Sequence, residues 1–90
     1  MSVEIYLPPS LQYLIDNVKK MEVNGSTVKE CLHNLIKQFP RLKAQLFDPQ
    51  DNLLEGLSIY INNKNTDIKE LTKAVSDGDK LYIINLIFGG

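Results

Sequence analysis

Ninety residues with a net charge of −1, 43% hydrophobic and 23% charged, describe one small globular domain and exclude a disordered chain. The ten Lys and Arg are scattered rather than grouped, so no phosphate-tracking surface is expected and nucleic acid is not a predicted partner. A single cysteine rules out an internal disulfide and a CxxC metal or redox pair. No apolar run approaches the ~20 residues needed to cross a bilayer, and the first residues, MSVEIYLPPS, carry no secretory signal. The expectation is a cytoplasmic protein with no membrane partner.

Val3, Ile5 and Leu7 alternate with Glu4 and Tyr6, which predicts a first strand. Pro8-Pro9 stops it, because proline cannot donate to a ladder. Residues 10–17 allow either a helical turn or a long hairpin loop. A second strand is expected from Val18 to Val23, closed by the turn pair Asn24-Gly25. Val28, Cys31, Leu32, Leu35, Ile36 and Phe39 then form one helical stripe. Thr27 and Glu30 read as a capping box at its start, and Pro40 ends it. Residues 41–52 read as a short helical turn and a loop.

Leu57, Ile59 and Ile61 alternate with Ser58 and Tyr60, a third strand that Asn62-Asn63 turns. Residues 68–75 suggest a short helix, and 76–79 a tight turn. Residues 80–88 form the last and most apolar strand. One long helix across one face of a small mixed sheet is an α+β fold. Pairing the first and last strands at the sheet centre makes it a β-grasp. Residues 1–90 are then one domain, with 87–90 a flexible tail.

If Leu81 and Ile83 face the helix with Ile59 and Ile61, then Tyr60, Tyr82 and Ile84 face away. Nothing else in so short a chain covers them. They form a candidate partner-binding surface, against the plainer reading of solvated cross-strand pairing. Cys31 lies in the apolar stripe and reads as a small core hydrophobe. His33, the only histidine, has no metal-ligand spacing and reads as a solvated flank residue. Asp77 and Asp79 are explained by the turn around Gly78.

Gly89 and Gly90 call for a different account. A Gly-Gly end neither packs nor holds a shape, but it can carry a terminal carboxylate into a narrow channel. Free carboxylate is a poor electrophile. Joined to AMP it becomes a mixed anhydride that a sulfur donor can convert to a thiocarboxylate.

The segments VNGSTVKECLHNLIKQFPRLKAQLFD, LSIYINN and LTKAVSDGDKLYIINLIFGG resemble the MoaD/ThiS family of ubiquitin-like sulfur carriers. The early VEIYLPPSLQ and the LFDP loop are most similar to the CysO type, with MoaD close. The resemblance implies a ubiquitin-like β-grasp. It also implies a protein cosubstrate rather than an enzyme, charged at Gly90 next to Gly89. The chain itself would bind no cofactor. A separate adenylating enzyme would use ATP, and a sulfur-acceptor enzyme of amino-acid (cysteine) or molybdopterin synthesis would discharge the sulfur. Docking would use the outer sheet face with Phe88, where relatives usually have a small residue. The alternative within the same resemblance is a protein modifier joined through Gly90 to lysine amines.

Overall fold

The computed structural model describes residues 1–62, 64–66 and 71–85. Its strands are β1 (Ser2–Tyr6), β2 (Lys20–Asn24), β3 (Leu57–Ile61), β4 (Lys64–Thr66) and β5 (Lys80–Asn85); its helices are α1 (Val28–Gln38) and the single turn α2 (Lys43–Leu46). The strands make one mixed sheet in the order β2-β1-β5-β3-β4. β1 and β5 run parallel at its centre, with Ile5 opposite Leu81 and Tyr6 opposite Tyr82; the other pairings are antiparallel. The α+β, ubiquitin-like β-grasp expectation holds.

Alternation decides which face becomes core. Val3, Ile5, Val23, Leu57, Ile59, Ile61, Leu81 and Ile83 are all buried, and Val28, Cys31, Leu32 and Leu35 of α1 join the same cluster. Ile36 and Phe39 pack at its edge, which completes the stripe read from the sequence.

One open local reading is resolved and three change. Residues 10–17 resolve into a 3-10 helix, Pro9–Ile15, burying Leu11, Leu14 and Ile15. Asp16 and Asn17 follow with φ of 59° and 60°, so β2 begins at Lys20 and Val18 is left 41% exposed. The capping box is shifted by one residue. Thr27 Oγ1 accepts from the Glu30 amide at 3.1 Å, but the Glu30 carboxylate accepts from the Ser26 amide at 2.8 Å rather than from Thr27. Thr27 instead forms a bridge with Ala74, flanked by Val28 N–H to Lys73 O and Val75 N–H to Ser26 O.

That bridge also shortens the helix expected over 68–75, which does not run on through Ala74. Residues 67–70 lie outside the described residues, Leu71 and Thr72 are in 3-10 conformation, and Ala74 forms the isolated bridge. Strand β4 was not expected at all. Its three residues, Lys-Asn-Thr, sit on the sheet edge and carry no apolar alternation to announce it.

Gly25 has a specific task between β2 and α1. A Cβ there would stand 2.6 Å from Cys31 Sγ and 2.9 Å from the Cys31 backbone nitrogen. Only glycine lets the β2 end lie this close to the first turn of α1. The Asn34 side chain then ties the two together by donating to Asn24 O at 2.6 Å.

Candidate functional site

On the sheet face away from the core, Tyr6, Tyr82 and Tyr60 stand on three adjacent strands in one register row. Tyr6 and Tyr82 stack, with ring centroids 4.5 Å apart and planes 14° from parallel. Together with Leu7 and Ile84 the three tyrosines line a hollow of about 370 Å³. Tyr60, Tyr82 and Ile84 are half-buried rather than bare, because flat rings on neighbouring strands shield one another. The outward orientation expected for Tyr60, Tyr82 and Ile84 is therefore present, with the rings partly shielding one another.

Tyr6 was missed as a member of this surface. Its signal was available: it shares the outward phase of Glu4 in β1, the strand that pairs with β5.

Charge frames the β1 side of the row. Lys20 Nζ lies 2.8 Å from Glu4 Oε2 and 6.0 Å from the Tyr6 ring centroid, and the Tyr6 hydroxyl donates to Glu4 Oε1 at 3.2 Å. The Lys20 hydrogen bond holds the Glu4 carboxyl below its ordinary range, and the same bond raises the Lys20 amine. A ladder of phenols with one ion pair at its edge suits the amphipathic core-and-rim chemistry of protein contacts. It offers no nucleophile and no acid–base pair.

The remaining sequence candidates have structural explanations. Burial pushes the Cys31 thiol up, away from the reactive thiolate form. His33 is engaged as well as solvated: Nε2 is 3.2 Å from Asp51 Oδ1, and the ring stands edge-on to Phe47 at 5.3 Å. Asp77 accepts from the Ser2 amide at 2.7 Å and Asp79 from the Ser76 amide at 2.8 Å, so both fix the turn at Gly78, φ 85°. Among the described residues no group of His, Cys, Asp and Glu could hold a metal. Among them, too, no helix is long and apolar enough to cross a membrane. Phe88, Gly89 and Gly90 lie outside the described residues.

The ThiS family model matches residues 8–90, nearly the whole chain. The chain belongs to the ThiS family. Among solved structures, CysO in the BexX/CysO complex of Amycolatopsis orientalis is 26% identical, with a TM-score of 0.85 over 98% of this chain and 99% of that one. SAMP1 from Haloferax volcanii superposes with a TM-score of 0.85 over the full length of both chains at 22% identity. A complex of subunits 1 and 2 of the molybdopterin-converting factor of Helicobacter pylori matches at a TM-score of 0.64 and 20% identity, over 100% of both chains. No curated protein matches the sequence. The family fold is that of a small ubiquitin-like carrier rather than a catalyst. Two of these three relatives were solved bound to other proteins.

Proposed function

We propose that this ThiS-family protein is a sulfur carrier whose working group is the Gly90 carboxylate. A partner enzyme attacks the ATP α-phosphate with that carboxylate, forming the acyl-adenylate and releasing pyrophosphate. Hydrosulfide, or an equivalent donor, then adds to the acyl carbon, and AMP leaves with the C–O bond electrons. The product is a thiocarboxylate at Gly90, which a sulfur-acceptor enzyme in cysteine or molybdopterin synthesis consumes. ATP binds the partner; this chain contributes the tail and the docking face.

The observation that carries the reading is the family match running through to Gly90, so that it includes the diglycine. The tyrosine row supports it, because Tyr82 and Ile84 lie on β5, the strand that leads to the tail. Tyr60, Tyr82 and Ile84, with Phe88, are the assigned partner contacts. Gly89, lacking a Cβ, leaves room for a narrow channel around the reacting end.

Mass spectrometry of the protein incubated with an adenylating enzyme of the family, ATP and sulfide is the test. The expected species is the intact chain with one oxygen replaced by sulfur. Deleting Gly90, or adding one alanine after it, should abolish that species and leave the melting temperature unchanged. One residue moves the carboxylate by up to ~3.5 Å. Errors of about 1 Å in near-attack geometry cost roughly a hundredfold. A branched adduct on lysine, with no sulfur incorporation, would replace this reading by that of a protein modifier. Normal charging of the extended chain would refute both.

A further inference from the structure

A second surface, on the helical side of the molecule, is not used by this function. Between Glu30 and Asp48 the sequence has no carboxylate, yet it holds Lys37, Arg41 and Lys43 in a chain of net charge −1. Lys29, His33 and Lys37 recur every four residues on α1 and so share one face. Asp51 faces the first two, at 3.2 Å each, and Lys37 continues the row without an acidic partner among the described residues. Lys43 has none there either, and Arg41 rests on the Tyr13 ring, 5.8 Å from its centroid. The other nearby acid, Asp48, is spent on the amides of Gln50 and Asn52, at 2.9 Å each. The surface is therefore cationic, with its carboxylates already engaged.

The cations border a groove. Two adjoining hollows, of about 360 and 490 Å³, share Lys43, Asp48 and Pro49. Half-buried Ile36 lines the first, and exposed Pro40 and Ala44 with half-buried Leu54 line the second. The Leu54 amide donates to Leu46 O at 2.9 Å, which holds Leu54 against α2 beside Ala44. Because these apolar groups are recessed, they receive a side chain rather than insert one, which disfavours a lipid surface. An apolar floor ringed by a few cations also lacks the charged track that a nucleic acid needs. A second copy in a two-fold contact would set Lys37, Arg41 and Lys43 against themselves. What complements the groove is a protein segment that is acidic and carries an apolar side chain.

We propose that this groove docks an acidic segment of a partner protein, with an apolar side chain between Ala44 and Leu54 and carboxylates at Lys37, Arg41 and Lys43. The groove lies on the helical side and the tyrosine row on the opposite face of the sheet, so one partner can hold each. The inference is independent of which chemistry Gly90 undergoes.

The probe is the peptide acetyl-Glu-Leu-Glu-Leu-Glu-amide, titrated into the full chain and followed by amide NMR, with the Gln-for-Glu peptide as its control. Saturable shifts are expected at Lys43, Ala44 and Leu54. Binding should weaken several-fold for the control peptide, and several-fold for Lys43→Glu or Lys37→Glu, both exposed positions. Absence of saturable shifts overturns the proposal, as does equal binding of the two peptides. Shifts centred on Tyr60 and Tyr82 overturn it by moving the probe to the sheet, and equal shifts at Lys19 and Lys80 by reducing it to general charge attraction. Co-sedimentation with phosphatidylserine vesicles that K43E abolishes would give the surface to a membrane instead. None of these readouts involves thiocarboxylate formation, so a failure here and a failure of the sulfur reading are told apart.

Discussion

The two faces of the sheet are built from the same strands by the same alternation, yet they do different work. Inward positions Ile5, Leu81 and Ile59 are buried to 2% exposure or less against α1 and its neighbours. Outward positions Tyr6, Tyr82 and Tyr60, one residue along each strand, remain half-exposed and shield one another as a ladder. The inner face is closed by tertiary packing and can be changed only at the expense of the fold. The outer face is closed sideways, by cross-strand contact, and remains open to a partner above it. Substitutions should separate the two.

The largest effect is expected on the inner side. Leu35→Ala empties a fully buried site in the middle of α1 and should lower unfolding free energy by about 2–5 kcal/mol. Denaturant unfolding reads this directly, and a change below ~0.5 kcal/mol would show that α1 does not close the core. Gly25→Ala comes next. The added methyl meets Cys31 backbone as well as its sulfur, so the β2–α1 junction must open, with a loss of about 1–3 kcal/mol.

Outward substitutions should be milder for stability and harsher for binding. Tyr82→Asp should reduce affinity for the adenylating partner by at least about tenfold, since burying an unpaired charge costs ~1.4 kcal/mol or more. Its fold should survive, as judged by a retained amide spectrum; retained affinity would remove Tyr82 from the docking face. A double-mutant cycle on Tyr6 and Tyr82 should return a coupling of about 0.5–1.5 kcal/mol for the stack. A coupling near zero would mean that the outer rings are independent.

The smallest effect concerns pH. The Glu4 carboxyl is lowered on folding, so its contribution to stability is complete above the ordinary carboxylate range near ~4.3 and is lost as pH falls through the folded value. The Lys20 amine is raised, so its contribution is complete below ~10.4 and is lost as pH rises through the folded value. Between those limits the pair is intact. Glu4→Gln should therefore lower the melting temperature slightly at neutral pH and flatten the acid limb, so that the two profiles converge at low pH. An acid limb identical to that of the parent would leave Glu4 outside the titration.

Elements with an apolar period were legible from sequence, and elements specified only by tertiary contact were not. The α1 stripe from Val28 to Phe39 and the alternation in β1, β3 and β5 fixed the layers and the orientation of Tyr60, Tyr82 and Ile84. Lys64–Thr66 has no such period; it becomes a strand because β3 offers it a free edge. The shifted cap at Thr27 depends on Ala74, 47 residues away, which no local motif encodes. The pairing of the first and last strands was expected, but its register, which sets Tyr6 opposite Tyr82, was not. The groove between α1 and α2 was illegible for the same reason: Leu54 and Lys43 meet there through the pairing of Phe47 with Leu53.

That central β1–β5 pairing joins residues made near the beginning of synthesis to residues made more than seventy positions later. A nascent chain can form α1, but β1 has one open edge until residues 80–85 have emerged. A product that stops short of them lacks the strand that holds β1 beside β3, and its core faces solvent. The tyrosine row therefore exists only in chains whose synthesis has advanced past Tyr82 on β5, because Tyr82 joins Tyr6 to Tyr60 across the sheet.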